Sequence, residues 1–440
     1  MFTLLSSGSN AHGQLSNGSL EDSHEFFPCS FHGCSPNTVP SNTVRILIIA
    51  SGANHTLLLL ETNGGDGKCE RELWGSGDGS AGQLGSAYRD LIAAGASSTV
   101  FRPIDLPFKQ EGLSGYAIKF VAASWETTYI ALSCEGKGDV LISMGADDFG
   151  DLGIGGKGKG KETARSFYIV GFAHLTLDGM SLRNATLAFQ AVEAGQHHVV
   201  VQVNATWKDR TEKCCLIGWG ASRHGQLGSH LGKAGKPVPF LLTPTLVPTG
   251  ESSDPVLSIA LGSQHTVLRH ASGRVSGFGS NRKGQLQGLE NAQHVSQLGC
   301  AWNSTYVALD VDQKVPNLHA TGSGAHGQLG RRCASISDGH PSLAPVNLPL
   351  SSDSFNLYAL ACGTEHVLAI ISQGTAPGSP TEAWGWGWNE HGNLGTGTTE
   401  DVFTPVRIWP SSTGNMKESR QVIGIWAGSG TSWIYTRQYF

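Results

Sequence analysis

The stretch Gly322-Ser-Gly-Ala-His-Gly-Gln-Leu-Gly330 decides the fold, because six other segments repeat its frame of glycine, four residues, glycine, a polar residue and leucine. The seven copies occupy residues 8–15, 77–85, 145–153, 220–228, 279–286, 322–330 and 387–395. A pattern that recurs along a chain sets the architecture in which any functional site lies, so it is interpreted first. We refer to it as the glycine motif, and each copy predicts one unit of structure.

A second motif alternates with the glycine motif. It consists of an apolar run, a small residue or glycine, three further positions and another apolar run, and its clearest copy is Ile46-Leu-Ile-Ile-Ala-Ser-Gly-Ala-Asn-His-Thr-Leu57. We refer to it as the turn motif. Its other copies lie at residues 120–130, 191–199, 257–266, 298–307, 357–367 and 423–431. Strict alternation of the two motifs predicts seven units of one kind.

Each unit is predicted to be antiparallel β structure. Runs such as 44–49 and 56–60 are short, apolar and bounded by Gly, Asn or Ser, which is typical of buried strands. A pair of glycines at fixed separation predicts a tight connection between strands, with the following leucine in the core. Helical periodicity is nearly absent. Two motifs per unit therefore predict about four strands.

The alternation of these motifs resembles the repeat of the regulator-of-chromosome-condensation family over essentially the whole chain, residues 2–435. Members of that family are seven-bladed β-propellers. The resemblance implies an all-β fold, a seven-bladed β-propeller of four-stranded antiparallel blades, in a single domain covering residues 1–440. We expect the ring to be closed by an N-terminal strand at Phe2–Ser7 that shares a blade with Ser432–Thr436, because closure removes exposed strand edges.

Composition narrows the functional classes. The formal net charge is −5 and only 15% of the residues are charged, which argues against strong direct binding to nucleic acid. The nine cysteines show no zinc-type spacing, so reduced thiols in an intracellular protein are favoured. The sequence shows neither a signal peptide nor a stretch long enough to span a bilayer. We expect a cytoplasmic protein without membrane contact, with nuclear entry left open.

The spacing of the repeats predicts where loops lie. Three polar stretches, Cys29–Asn42, Lys233–Asp254 and Gln373–Thr381, are predicted as loops, which carry partner specificity more often than strands do. The longest interval between second glycines, Gly150 to Gly225, contains the basic run 155–161, which we interpret as a solvated loop.

Two segments resemble nucleotide-binding motifs but lack the neighbouring elements or residues that such motifs need. Gly77, Gly79 and Gly82 form a G-x-G-x-x-G pattern, but it lies inside a glycine motif and no helical pattern follows it. The run 153–159 lacks the Ser or Thr of a phosphate loop, because Gly160 comes next. No catalytic triad, metal-binding motif or carboxylate pair stands out. We therefore expect no enzyme in the ordinary sense, no cofactor and no metal.

The numerous histidines are expected to be structural. A histidine repeated at one structural position is expected to form a hydrogen bond of that position, since catalysis needs unlike groups that converge at one spot. One set recurs in the turn motif and another in the glycine motif: His55, His198, His265 and His366, and His12, His224, His326 and His391.

Aromatic residues near the turns are the candidates for a partner-binding surface. Trp384 and Trp386 are expected to fill spaces between blades. For Trp125, Trp302 and Trp388, packing between blades and binding of a partner are the two alternatives. Exposed tryptophan beside polar loop residues is the composition of an interface hot spot. The predicted partner-binding residues are Trp125, Trp302, His326, Trp388, Asn389, Glu390 and His391.

Two functional classes remain. The segment Gly385-Trp-Gly-Trp-Asn-Glu-His-Gly-Asn393, in a chain that begins directly at its first repeat, resembles the fungal alpha-tubulin-suppressor or killer-toxin-insensitivity propellers and the animal secretion-regulating exchange-factor-like proteins. The fungal resemblance implies a non-catalytic monomeric propeller that forms a heterodimer with a small metal-binding protein. That partner acts in diphthamide synthesis and in Elongator-dependent modification of tRNA wobble uridines.

The alternative is a guanine nucleotide exchange factor for a small GTPase. The family's exchange factor inserts a β-wedge into its GTPase, and the interval between Gly150 and Gly225 is where such an element would lie. The chromatin-associated founding member also carries a basic N-terminal extension that engages DNA. We expect no such role here, because no basic segment precedes the first repeat.

Overall fold

The computed structural model describes residues 2–65, 67–156, 165–232, 235–249, 253–310, 317–332, 342–349, 355–374, 379–410 and 420–438. They fall into two compact units, Met1–Ser41 with Val256–Phe440, and Asn42–Pro255. The lysines of the basic run, residues 157–159 of the segment that resembles a phosphate loop, and Cys333 lie outside the described residues.

Short β-strands are the main secondary structure of both units, as the bounded apolar runs predict. Up to residue 255 the strands are β1 (Phe2–Gly8), β2 (Ser23–Pro28), β3 (Thr43–Ser51), β4 (His55–Asn63), β5 (Cys69–Gly77), β6 (Arg102–Pro103), β7 (Ala117–Ala123), β8 (Thr127–Ser133), β9 (Val140–Gly145), β10 (Tyr168–Ile169), β11 (Thr176–Leu177), β12 (Met180–Ser181), β13 (Ala185–Ala194), β14 (His198–Trp207), β15 (Glu212–Ala221) and β16 (Phe240–Val247). From residue 256 they are β17 (Val256–Leu261), β18 (His265–His270), β19 (Val275–Gly279), β20 (Val295–Ala301), β21 (Ser304–Leu309), β22 (Asn317–Gly322), β23 (Ala344–Pro345), β24 (Phe355–Cys362), β25 (His366–Gln373), β26 (Thr381–Gly387), β27 (Val402–Trp409), β28 (Arg420–Ala427) and β29 (Thr431–Gln438). The described helices are α1 (Ser86–Ala93) and two 3₁₀ turns, Leu182–Asn184 and Leu289–Asn291.

The unit Asn42–Pro255 contains three four-stranded antiparallel blades, I to III. Their strand orders are β3-β4-β5-β6, β7-β8-β9-β10 and β13-β14-β15-β16, so strands adjacent in sequence are adjacent in the sheet. Leu57 of β4 packs in one buried cluster with Ile130 of β8 and Ile142 of β9. The apolar runs are thus buried on the faces that join one blade to the next, which explains why they are nearly continuous in the sequence.

The other unit contains blades IV to VII. Their strand orders are β17-β18-β19, β20-β21-β22-β23, β24-β25-β26-β27 and β2-β1-β29-β28, and blade IV has three strands among the described residues. Blade VII unites the two ends of the chain, because β1 and β29 pair antiparallel from Phe2 opposite Arg437 to Gly8 opposite Thr431. The predicted pairing of the N-terminal strand with the C-terminal copy is confirmed.

One predicted loop is partly a strand. The sequence predicts a loop over Lys233–Asp254, but β16 lies within it and pairs with β15 as an edge strand of blade III. Leu241 and Leu246 of β16 pack against the buried cluster of that blade. Burial of apolar surface therefore outweighs the flanking Pro and Gly residues. Cys29–Asn42 contains no strand, as predicted, and part of Gln373–Thr381 lies outside the described residues.

The expectation that no helix follows the G-x-G-x-x-G pattern is wrong, because α1 begins directly after Gly85. Tyr88 of α1 is buried and its hydroxyl donates a hydrogen bond to the Gly77 carbonyl oxygen at 3.0 Å, so a tertiary contact holds this short helix. The segment still lacks the strand arrangement of a dinucleotide-binding motif. β5 pairs antiparallel with both β4 and β6, whereas a dinucleotide-binding βαβ unit has parallel strands.

Candidate protein-interaction site

The glycine motif and the turn motif lie at the same end of each blade. The turn motif supplies the turn between the first two strands, and the glycine motif follows the third. In all seven blades the N–H group after the first motif glycine donates to the carbonyl of the turn residue. These bonds are Ser9 to Gly430 (2.8 Å), Asp78 to Asn54 (2.8 Å), Ala146 to Glu126 (2.9 Å), Ala221 to His197 (2.6 Å), Ser280 to Gln264 (2.8 Å), Ser323 to Asn303 (2.9 Å) and Trp388 to Glu365 (2.9 Å).

The two loops of a blade approach each other closely, which explains why the first position of the glycine motif is a glycine. Gly322 has φ +111°, and a Cβ atom there would lie 2.3 Å from the Asn303 carbonyl oxygen. Only glycine adopts this backbone conformation and leaves room for the neighbouring chain. The glycine spacing therefore reports where two loops of one blade meet.

Backbone hydrogen bonds also link the turn motifs of neighbouring blades. In one unit the Trp125 N–H donates to the Gln196 carbonyl (3.0 Å), and in the other the Trp302 N–H donates to the Thr364 carbonyl (2.7 Å). The Trp125 and Trp302 carbonyls accept from Ala53 (2.8 Å) and Ser263 (3.0 Å) respectively. The two tryptophans thus occupy equivalent positions, as predicted, and their backbones are fixed on both sides.

Three of the four histidines of the turn motif make the structural contacts that were predicted. His55 is fully buried, and its Nε2 lies 3.2 Å from the Thr128 hydroxyl of the next blade. That hydroxyl donates to the Gln83 carbonyl (2.7 Å), so it accepts from Nε2–H. The equivalent bonds join His265 to Thr305 (3.1 Å) and His366 to Ser432 (3.0 Å). Burial lowers the pKa of these three imidazoles to about 4, so they are neutral at pH 7.

Two histidines of the glycine motif are placed differently. Nδ1 of His326 in blade V lies 2.8 Å from Oδ2 of Asp401 in blade VI, and Nδ1 of His391 in blade VI lies 2.6 Å from Oδ2 of Asp22 in blade VII. The two imidazole side chains are 44% and 35% exposed. They therefore join adjacent blades at the surface, where a partner can reach them.

Both aspartates were missed by the sequence reasoning. Asp401 also accepts the Asn389 N–H through Oδ1 (3.0 Å), and Asp22 accepts the Asn10 N–H in the same way (2.8 Å). Each aspartate thus fixes the glycine-motif loop of its own blade and the histidine of the preceding blade. The sequence did contain a signal that could have identified them, because each aspartate lies 12 residues after the asparagine whose N–H it binds.

Trp388 lies beside the His391–Asp22 contact and is partly exposed. Its indole Nε1 is 3.3 Å from Oε2 of Glu390, and its ring packs edge-to-face on His391 with centroids 5.2 Å apart. A side chain added at Gly430 in the turn of blade VII would meet the Trp388 ring at 3.3 Å. The indole therefore lies over a glycine that leaves room for it.

Glu365 connects blades V and VI at the same surface. Its carboxylate accepts a hydrogen bond from the Asn303 side-chain amide (3.3 Å) and lies 3.9 Å from Nε2 of His326. Asn303 follows the partly exposed Trp302 in the chain. We define the tryptophan–histidine surface as Trp302, His326, Glu365, Trp388, Glu390 and His391.

Asn389 was predicted to bind the partner, and the structure places it inside its own loop. It is fully buried, its amide nitrogen donates to the carbonyls of Thr398 (2.9 Å) and Glu400 (3.2 Å), and its Oδ1 accepts the Leu394 N–H (2.8 Å). The side chain therefore holds the loop that presents Trp388 and Glu390.

The other tryptophans singled out in the sequence are not members of this surface. Trp384 and Trp386 are buried, as predicted, and the Trp386 indole donates to the Gln328 carbonyl of blade V (2.9 Å). Trp125 belongs to the other unit, where its ring centroid is 6.1 Å from that of His197.

The surface offers aromatic faces, carboxylates and hydrogen-bonding groups. Among the residues that the structure describes, no cluster of three or more His, Cys, Asp or Glu side chains is placed to hold a metal ion. The eight cysteines in the described ranges are free. None of the helices described is long and apolar enough to cross a membrane.

Comparison with known families and relatives agrees with the repeat assignment. A model of the Regulator of chromosome condensation (RCC1) repeat matches residues 215–268 and 382–433, and a second model of this repeat matches residues 256–285. The secretion-regulating guanine nucleotide exchange factor of Mus musculus is 26% identical over 429 residues, which cover 92% of this chain and 78% of that protein. The ultraviolet-B receptor UVR8 of Arabidopsis thaliana is 26% identical over 444 residues, or 97% and 82% of the two chains.

Solved structures share the fold at lower identity. Human WBSCR16 matches with a TM-score of 0.68 and 17% identity over 100% of both chains. Prp20p from Saccharomyces cerevisiae, described with its binding properties to Gsp1p and histones, matches with a TM-score of 0.66 and 16% identity over 100% of this chain and 92% of its own. At these identities the matches show the fold alone. Together with the seven sheets, they confirm the predicted all-β, seven-bladed propeller.

Proposed function

We propose that this chain, a regulator-of-chromosome-condensation-like seven-bladed propeller, is a non-catalytic platform whose protein partner binds the tryptophan–histidine surface. The observation that carries the proposal is Trp388, a partly exposed indole between Glu390 and the hydrogen-bonded pair His391–Asp22. Tryptophan with a polar edge, ringed by hydrogen-bonding groups, is typical of interface hot spots.

Preorganisation supports the same conclusion. Asp22, Asp401 and Asn389 fix the loops through bonds to backbone groups, so little loop freedom remains to be lost when a partner binds. The residues of the surface come from blades V and VI, and Asp22 of blade VII binds His391, so the surface extends over more than one blade, which suits a protein better than a small molecule.

For the partner, we propose the small metal-binding protein of diphthamide synthesis and Elongator-dependent wobble-uridine modification, in a heterodimer with one propeller in the cytoplasm. The support is the resemblance of residues 385–393 to the fungal propellers. That segment supplies Trp388, Glu390 and His391, which are half of the tryptophan–histidine surface.

Nucleotide exchange on a small GTPase is the second candidate, because the mouse relative is named a guanine nucleotide exchange factor. An exchange factor of the wedge type needs a rigid element that projects into its GTPase. In the described part of the interval between Gly150 and Gly225, the hairpin β11–β12 instead packs against blade III. The Trp207 indole donates to the Ser181 carbonyl (3.0 Å), and Met180 packs on the buried cluster. Because this hairpin packs on its own blade and does not project, the structure favours an interaction platform over an exchange factor of the wedge type.

Hydrogen exchange of the full chain with and without the purified small metal-binding protein tests the proposal. We expect protection of residues 302–303 and 385–393, with unchanged exchange in β16 as the internal control. Protection confined to other loops would overturn the assignment of the surface. Fluorescent-nucleotide release from candidate small GTPases tests the alternative, and a large acceleration that is lost on removing residues 155–185 would reverse the ranking.

A further inference from the structure

The geometry points to an arginine as the group that the tryptophan–histidine surface recognises. We propose that a basic segment of the partner places a guanidinium on the exposed face of Trp388, with the carboxylates of Glu365 and Glu390 as its acceptors. This inference rests on the proposed function, since it names the chemistry of the partner that binds the same surface.

The charge of the surface is the first argument. Four carboxylates, those of Asp22, Glu365, Glu390 and Asp401, contact its aromatic and imidazole groups. Among the described residues, no lysine or arginine pairs with any of the four. A surface with this excess of negative charge attracts a cationic partner and repels phosphates. Nucleic acid and other phosphorylated ligands are therefore disfavoured.

The four carboxylates are not equivalent, and this is the second argument. In Asp22 and Asp401 one oxygen accepts a backbone N–H and the other binds a histidine, so both oxygens are occupied. Glu365 accepts one amide hydrogen bond, and its other oxygen is 3.9 Å from His326, beyond hydrogen-bonding distance. Glu390 is exposed and accepts one bond, from the Trp388 indole. Glu365 and Glu390 can therefore accept hydrogen bonds from a partner. Asp22 and Asp401 are positioning residues, because they hold the loops and the histidines in place.

Trp388 links the two glutamates, and this is the third argument. Its backbone N–H donates to the Glu365 carbonyl (2.9 Å), while its indole N–H is directed to the Glu390 carboxylate (3.3 Å). The indole thus contacts the Glu390 carboxylate, and the backbone of Trp388 is fixed to Glu365. A planar guanidinium stacks on an indole and donates in a fork to carboxylates, which a lysine ammonium does not do equally well.

The probe is a pair of blocked pentapeptides, Gly-Ser-Arg-Ser-Gly and its citrulline twin, which has nearly the same shape without the charge. The full chain is labelled with 5-fluorotryptophan, and the Trp388 fluorine resonance is assigned through Trp388→Phe. We expect the arginine peptide to shift this resonance saturably and the citrulline peptide to leave it in place, while the buried Trp386 does not respond. No shift, or equal shifts with both peptides, would overturn the proposal.

Variants of the acceptors sharpen the test. Glu365→Gln and Glu390→Gln should each lower the affinity for the arginine peptide about threefold, since a single exposed charge contact contributes about 0.5–1 kcal/mol. Glu382→Gln is the matched control, because Glu382 also accepts an indole N–H, from Trp384 (3.2 Å), but binds Arg407. Equal affinity of the two test variants and wild type would contradict the assignment of the acceptors.

The same variants separate this inference from the proposed function. If Trp388→Ala loses the protein partner while Glu365→Gln and Glu390→Gln retain full affinity and salt dependence, the surface is correct and the arginine proposal is wrong. If the arginine peptide binds at Trp388 but the small metal-binding protein does not bind, the recognition chemistry stands and the named partner is wrong.

Discussion

Nε2 of His366 in blade VI lies 3.0 Å from the hydroxyl oxygen of Ser432 in blade VII, so a buried neutral imidazole joins two blades. His55 and His265 form the equivalent bond in their own units. Repetition of one contact explains how a histidine recurs along a sequence without any catalytic role. It also couples the stability of the blades to pH.

Acid should destabilise the protein through these histidines. Burial lowers the pKa of His55, His265 and His366 from 6.5 to about 4, so between these values the unfolded chain binds more protons than the folded one. Their contribution is therefore fully present above pH 6.5 and is lost as pH falls toward 4, by about 1.4 kcal/mol per pH unit for each histidine. Urea unfolding at several pH values measures this. In His366→Gln the unfolding free energy should depend less steeply on pH, by the contribution of one histidine. An unchanged pH dependence would contradict the account.

The first glycine of a motif should tolerate alanine much less well than an open glycine. Gly322→Ala would place Cβ 2.3 Å from the Asn303 carbonyl oxygen at φ +111°, and we expect a loss of about 3 kcal/mol or more. Gly82 is the matched control, because it has φ +87° with no atom within 4 Å of the added Cβ. Gly82→Ala should cost about 1 kcal/mol. Similar melting temperatures for the two variants would count against the close approach.

Removal of residues 2–7 should lower the melting temperature by about 5 °C or more. β1 pairs with β29 on one side and with β2 on the other, so its loss leaves two strand edges unpaired and exposes part of the core of blade VII. Differential scanning calorimetry is the measurement. A melting curve equal to that of the intact chain would show that this pairing contributes little.

Trp302→Ala should weaken partner binding at least tenfold with little loss of stability. The Trp302 N–H and carbonyl form inter-blade bonds to Thr364 and Ser263, and these bonds survive removal of the indole. Trp125→Ala, at the equivalent position in the other unit, is the control and should leave the affinity unchanged. A large drop in melting temperature for Trp302→Ala without a change in affinity would mean that the indole packs and does not bind.

The fold was predictable because its signals are local. Gly77 and Gly322 must be glycine where two loops of a blade touch, so their spacing carries the repeat into the sequence. The helix α1 and the strand β16 were missed for the opposite reason. Tyr88 and Leu241 pack in clusters with residues distant in sequence, and this packing leaves no periodic pattern.

The candidate site was predictable only in part. Trp388, Glu390 and His391 lie in one motif and were found together, whereas their partners come from other blades. Asp22 is 369 residues away from His391 in the sequence, and only the pairing of β1 with β29 brings them together. Asn389 shows the converse error, since a polar residue in a loop was expected to face a partner and is buried instead.

The measurement that tests the central claim most directly is the calorimetric affinity of Trp388→Ala for the small metal-binding protein, beside that of Tyr358→Ala. Tyr358 is 51% exposed on β24 and lies outside the tryptophan–histidine surface, so it controls for the loss of an exposed aromatic side chain. We predict that Trp388→Ala raises the dissociation constant about 30-fold or more, corresponding to about 2 kcal/mol, with a nearly unchanged melting temperature, and that Tyr358→Ala has no effect on affinity. Full affinity of folded Trp388→Ala would contradict the claim that this surface binds the partner.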